Sequence, residues 1–427
     1  MRLKYLILLG LVLSLTGLIA WTNSKPEQKD LIVYKSFGDY KKEWVEVDSL
    51  LMVGLDKTAA RKVEQILNNA EKTQNYNQVY KATLYIARLS NSFTEESLEK
   101  TIIDLEQKTK QYSYPLSAIF HSTLGSIYLN YYQQNSWKFN QRTEIQGEPT
   151  DDIKTWDLKT IVKRIQFHYD ASLTESEKLK RTPINYFEPI LTEQTVNYDE
   201  EKEVQRFLYD LLVKRAIDFY SSGQASLTDP IDVFTIEDSV VFSSNEEFVK
   251  AVFQTTDTFS NEWKALKLYQ EWTTFLLEED NLTALTDATI KRLQFAKTYF
   301  QGDGNDALHY RAIVSLHETL ESNPESARTA FEIANYYKQT YDSDTASIHK
   351  NKLKEAAALC EEYIKLYSNS YGAVQCRALL NQLKMPSHQI ELESAQLPPC
   401  CLKQLGEMFQ LCITELWFLL LEEFLRI

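Results

Sequence analysis

Over most of this chain apolar side chains recur three and four residues apart, and almost nothing interrupts them: 427 residues contain 11 glycines and 10 prolines. That spacing is the signature of amphipathic helices, and so few turn-formers favour helix over an all-β design. The sets Val63, Ile66, Leu67, Ala70 and Val79, Ala82, Leu84, Ala87, Leu89 each fall on one helical face. The pattern predicts helices over Tyr40–Leu55, Lys57–Lys72, Tyr76–Leu89, Thr94–Gln111 and Leu116–Tyr132, the last opened by Pro115 and apolar enough to lie among its neighbours. Further on it predicts Glu203–Ser221, Asn245–Gln254, Asn261–Glu278 and Asp287–Phe300. Four more follow: Ala307–Glu321, Pro324–Tyr341, His349–Leu366 and Tyr371–Leu383. The fold class expected is therefore mainly α.

Helices of this length bury one face each, so they must pack against one another as hairpins. Lys57–Leu89 approaches one tetratricopeptide unit of about 34 residues, although the strict consensus is not satisfied. Ala330, Ile333, Ala334, Tyr337 and then Ala356, Ala357, Cys360, Tyr363, Ile364 provide the small-and-aromatic pattern that stacked hairpins interdigitate. A divergent tetratricopeptide-like array and a compact irregular bundle both fit. Two helical regions are expected, residues 33–180 and 200–385. The Pro183- and Pro189-containing segment from Leu173 to Glu203 is the connector, and Gly223–Ser244 is a loop or short strand pair.

Residues 1–21 carry Arg2 and Lys4 and then an apolar run to Trp21, the layout of a signal peptide with a cleavage site after Ala20, or of an uncleaved N-terminal membrane anchor. The protein is thus expected to be exported, to the periplasm or the membrane face of the cell envelope. Its formal charge of −14 repels phosphate backbones and anionic lipid, so nucleic acid is not an expected partner, and membrane contact is expected only through residues 1–21.

Templates for chemistry find no purchase. His317-Glu318-Thr319-Leu320-Glu321 begins like a zincin helix but has Glu321 where a second histidine belongs. His309 and His317, two turns apart, read as surface histidines. Gly302-Asp303-Gly304-Asn305-Asp306 resembles the start of a calcium loop, but the twelfth position from Asp303 is Val314. Asp151-Asp152, Glu246-Glu247 and Glu278-Glu279 read as helix-start charges and solvated faces. Of five cysteines, Cys360 and Cys376 lie in the body, as two buried thiols or a bridge, and Cys400, Cys401 and Cys412 lie near the end. No catalytic, cofactor-binding or metal-binding residue is assigned, no cofactor is expected, and the chain is not expected to be an enzyme.

The stretch from Asn130 to Leu173 sets aromatic residues among polar ones in an unusual order, with Trp137, Trp156, three tyrosines and two phenylalanines. It reads first as a packing joint between helices, with tyrosine hydroxyls and asparagines satisfying one another at its edges. Its strings NYYQQNSWKFNQRT, DDIKTWDLKTIV and FHYDASL, with LYDLLVKRAIDFY from Leu208 to Tyr220, resemble the helical N-terminal region of bacterial alpha-2-macroglobulin family proteins. The similarity covers about residues 33 to 397. It implies the scaffold of an endopeptidase inhibitor of the cell envelope, and implies no site residue, because these strings are not catalytic. Members of that family trap proteases through a bait segment, many with a Cys-Gly-Glu-Gln thioester, and no such motif occurs here. Many are also lipoproteins, whereas no cysteine follows this leader.

Residues 386–427 read as the start of a truncated β-domain with a frameshifted tail. Gln389-Ile390-Glu391-Leu392-Glu393 alternates like a strand and then gives way to a Leu- and Cys-rich run. Read one nucleotide earlier, allowed codons for Glu407–Phe409 and Cys412–Trp417 give RNV and YYRIV, which resemble the opening strands of a macroglobulin-type domain. The expectation is a truncated relative of that family. A stand-alone tetratricopeptide-like module that holds a partner protein in a helical groove is the competing expectation.

Overall fold

The computed structural model describes residues 40–91, 97–143, 150–190, 204–225, 233–342 and 351–384. All of them belong to one compact unit, Gly38–Ile427. The leader, the expected strand at Gln389–Glu393, the three late cysteines and the tail lie outside the described residues.

Among the described residues there are 15 α-helices and no strand. In chain order they are α1 Lys41–Met52, α2 Asp56–Thr73, α3 Tyr76–Asn91, α4 Ser97–Gln111, α5 Leu116–Gln141, α6 Leu158–Ser172 and α7 Ser176–Leu179. There follow α8 Leu208–Tyr220, α9 Asn245–Phe248, α10 Asn261–Glu278, α11 Leu282–Tyr299, α12 Asn305–Thr319, α13 Ser326–Asp342, α14 Lys352–Leu366 and α15 Tyr371–Lys384. From α1 to α6 each helix packs on the next. So do α10 to α15, while α8 packs on α10 and touches α5 and α6. The chain therefore lays down adjacent helical hairpins, and its last three helices pack mutually.

Each helix buries the stripe its sequence provides. In α2 that stripe is Ala59, Val63, Ile66 and Ala70, and α5 is enclosed on nearly every side over its apolar first half, Leu116 to Tyr128. The core is one central cluster from Ala70 to Ile333 with a smaller cluster at either end, around Trp44–Val63 and around Cys360–Leu379. Such layering is what stacked hairpins produce, since each hairpin shares its apolar faces with its neighbours. Helix starts are closed by short polar side chains. Asp157 accepts the Thr160 amide at 2.8 Å, Ser260 the Trp263 amide at 3.1 Å and Asn281 the Ala284 amide at 3.2 Å.

Several boundaries differ from the sequence pattern, each for a tertiary reason. The helix expected over Asn245–Gln254 stops at Phe248. Phe248 and Phe253 are both buried, and side chains take the carbonyls a continuing helix would use. Gln270 Nε2 donates to Phe248 O and Ala251 O at 2.8 Å each, and Trp263 Nε1 to Phe253 O at 2.9 Å. Instead of a strand pair, the described part of Gly223–Ser244 has a 3-10 turn at Ser239–Phe242 and one bridge from Ile236 to Phe300. Arg292, 1 % exposed, clamps it by donating to Val241 O at 2.6 Å and Ser243 O at 2.9 Å. The described part of the Leu173–Glu203 connector is packed, with Leu179 and Phe187 in the core and Pro183 bridged to Phe207.

Asp210 shows how α8 is set. Its Oδ2 accepts the Arg206 and Phe207 amides at 3.0 and 2.9 Å, and its Oδ1 accepts the indole N–H of Trp272, a fully buried side chain of α10, at 3.0 Å. One carboxylate thus caps a helix and joins two. Asp210→Ala should destabilise the protein by about 3 kcal/mol, the loss of a cap plus a buried donor left without an acceptor. Urea unfolding followed by tryptophan emission measures this, and a loss below about 1 kcal/mol would show that the two contacts do not carry α8.

Candidate functional site

The aromatic stretch becomes the α5–α6 hairpin together with the turn that precedes α6. Tyr128 stacks on Trp156, with ring centroids 5.9 Å apart, and on His168, 5.3 Å apart, while Tyr169 stacks on Phe219 of α8 at 4.8 Å. Trp156 is fixed at both ends, its Nε1 donating to Thr150 O at 2.7 Å and its carbonyl accepting from Arg142 at 2.6 Å. The expected pairing of tyrosines with asparagines is not what forms. Tyr128 and Tyr131 donate instead to Glu106 at 2.9 Å and Glu99 at 3.4 Å on α4, while Asn135 bonds back to Tyr131 O. Trp137, expected in the joint, is 60 % exposed.

Beneath this aromatic layer lies a polar cluster with no sequence motif. Glu106 accepts from Tyr128, from Arg164 Nε at 3.0 Å and from His168 Nε2 at 3.0 Å, and His168 Nδ1 lies 2.9 Å from His121 Nδ1. Since His168 gives its Nε2 proton to Glu106, its Nδ1 is the acceptor and His121 the donor in the neutral chain. Burial alone would raise the Glu106 carboxyl. The hydrogen bonds and charges of His168 and Arg164 outweigh it and bring the pKa down to about 2. Burial pushes His168 down despite Glu106, and burial together with the His168 charge takes His121 down to about 4.

Next to the cluster α4 and α6 stand apart over α5 and leave a groove of about 920 Å³. Tyr128, Ile102 and Trp156 form its floor, Ile103 and Phe167 stand on facing walls, and Glu106 with Arg164 spans it. Glu106, His121 and His168 arrange a carboxylate and two imidazoles in a chain, but of the three only Glu106 lines the groove. Their chemical use in this arrangement is to lock three helices together. The groove's polar and aromatic lining suits recognition of a protein segment.

The residues singled out in the sequence fall elsewhere. His309 is 6 % exposed and His317 is partly buried, so neither is a surface histidine. Burial, with Lys297 nearby, takes His309 down to about 4. His317 bonds Thr329 at 2.8 Å and Tyr363 at 2.9 Å, which uses both ring nitrogens to join α12, α13 and α14. Gly304 takes a left-handed conformation, φ +77°, to start α12. Asp152 caps the turn at Ile153–Thr155 and Asp151 lines the groove beside it. Glu246 and Glu247 sit in the first turn of α9, whereas Glu278 and Glu279 fall at the end of α10 and are exposed. Among the described residues no group of three or more His, Cys, Asp or Glu side chains is placed to hold a metal ion, and no helix is long and apolar enough to cross a membrane.

Cys360 and Cys376 are free thiols, both fully buried, side by side between α14 and α15. Alkylation of the folded chain should leave both unmodified and modify both once denaturant is added. Peptide mass mapping reads the outcome, and rapid labelling of either thiol in the folded state would contradict this packing.

Comparison of the chain with protein-family models, with curated proteins and with solved structures finds no match.

Proposed function

We propose that this chain is the N-terminal helical scaffold of an alpha-2-macroglobulin-like endopeptidase inhibitor of the cell envelope, and that it works by holding protein surfaces rather than by catalysis. The supporting observation is where the resembling strings fall. NYYQQNSWKFNQRT and FHYDASL lie on α5 and α6, DDIKTWDLKTIV supplies the turn and first half of α6, and LYDLLVKRAIDFY is α8. These elements meet at the Tyr128–Trp156 and Tyr169–Phe219 stacks, and the turn and α6 also line the groove, so they act as one structural unit. In this reading the bait segment and any thioester belong to β-domains outside these residues.

Reading the DNA for several kilobases past the Ile427 codon tests the proposal. A frame that encodes β-domains of macroglobulin type supports it, and an unrelated gene directly downstream sinks it. The groove favours a second reading, a stand-alone tetratricopeptide-like module that holds a partner protein there. That reading predicts a partner captured by the chain alone, without any downstream domain.

A further inference from the structure

We propose that the trough between α4 and α6 is the seat of an amphipathic α-helix from a partner polypeptide, with cationic side chains at one end and carboxylates at the other. This holds under either reading of the chain's role. Two side-by-side helices resting on a third leave the position that a fourth helix fills in a bundle. Among the described residues that position is open, about 920 Å³. Its walls carry Ile103, 50 % exposed, and Phe167, 49 % exposed, above a floor of Tyr128 and Trp156. Large apolar side chains exposed on both walls of one trough mark an interaction surface more than solvent exposure at random does. A helix with apolar residues at i, i+3, i+4 and i+7 would cover them in one pass.

The charges give that helix a direction. Glu106 meets Tyr128 and Glu99 meets Tyr131, so α4 runs opposite to α5, as α6 does through its hairpin. The starts of α4 and α6 therefore lie at the same end of the groove. At that end Glu99, Asp151 and Asp152 line it, with Lys159 beside them. Towards the other end come Lys163 and Lys110, and the carboxylate there, Glu106, is already held by Arg164 and His168. The groove thus runs from net negative to net positive, and a helix bearing the opposite gradient docks in one orientation while the reversed gradient meets like charges at both ends.

A phage-displayed library of helical peptides, panned on the full chain, tests this. Enriched peptides should share the i, i+3, i+4, i+7 apolar face, with Lys or Arg at one end and Asp or Glu at the other. A synthetic enriched peptide should bind about tenfold or more weakly to Phe167→Asp and to Ile103→Asp, and exchanging its terminal charges should weaken it to a similar degree. Lys110→Glu with Lys163→Glu should remove that preference between the two charge orders. Both apolar positions are surface-exposed, so the variants are expected to keep the parent far-ultraviolet circular dichroism. Peptides that bind Phe167→Asp and Ile103→Asp as well as the parent chain overturn the proposal. So does equal binding of both charge orders, or a library from which nothing groove-dependent is enriched. Neither result bears on the downstream DNA, so the docking proposal and the family reading fail separately.

Discussion

Gly372→Ala is expected to cost about 3 kcal/mol or more and to unseat the last three helices, although alanine is by itself the better helix former by about 1 kcal/mol. Gly372 lies in the first turn of α15, where that helix crosses the start of α13. A Cβ built there would stand 2.2 Å from the carbonyl carbon of Ala327 and 2.3 Å from the amide nitrogen of Arg328. Both are backbone atoms inside a buried crossing, so no rotamer change relieves the overlap and the helices must separate. Separation would also part Cys376 from Ala327 O, now 3.8 Å away, and Arg328 from the Tyr371 ring, now 4.8 Å away. Arg328 is further tied to Asp287 of α11 and to Glu325, so the disturbance would pass back towards the central core. Val374→Ala, on the exposed face of the same helix, is the control and should change stability by less than about 0.5 kcal/mol. Urea unfolding of both variants decides the matter, and equal stability would mean that α13 and α15 do not approach so closely.

How much of this could be read in the sequence depends on where the deciding interaction lies. Local patterns decided α2, α3, α10 and α15, whose apolar stripes and flanking polar residues place both ends to within a few residues. They also revealed the α5–α6 joint as an aromatic concentration. They failed where partners come from far along the chain. Asn245–Gln254 has a helical pattern, yet Gln270 and Trp263 supply the hydrogen bonds that end it after one turn. The Glu106–His168–His121 chain draws on three helices at spacings that match no motif. The sequence places His309 at the surface because no cysteine or defined carboxylate set accompanies it. It is buried because α12 turns that side towards α11 and the 3-10 turn at Ser239–Phe242.

That hidden cluster should make the fold acid-sensitive and should make Glu106 one of its most costly side chains to remove. Glu106→Ala leaves buried His168 and Tyr128 without their acceptor and Arg164 without its counter-ion, a loss of about 3–5 kcal/mol. The pH dependence has components of both signs. His121 and His309 have folded pKa values near 4, below the ordinary 6.5, so unfolding takes up protons and stability falls as pH drops from about 6.5 to about 4. A displacement of that size is worth about 3 kcal/mol at full effect, and solvent around the partly exposed His121 reduces its share. Glu106 is held near 2 against an ordinary 4.5, so its stabilisation is present above about 4.5 and disappears as pH falls towards 2. Asp210 works the other way: burial lifts it to about 6, so it favours the folded chain when protonated and takes away stability as pH rises from about 4 to about 6. Burial also depresses His168 and His317 and raises Asp104, Asp218, Glu271 and Glu332, so the slope between pH 6.5 and 4 is the difference of two opposed sets and the cluster's share is read from variants against the parent, whereas below about pH 4.5 the loss of Glu106 should lower the melting temperature. Relative to the parent, His121→Asn should lose less stability on acidification from pH 6.5 to 4, and Glu106→Gln less below about 4.5. A His121→Asn variant whose melting temperature tracks the parent's from pH 6.5 to 4, or a Glu106→Gln variant with an unchanged decline below pH 4.5, would show that these groups are not held as the geometry requires.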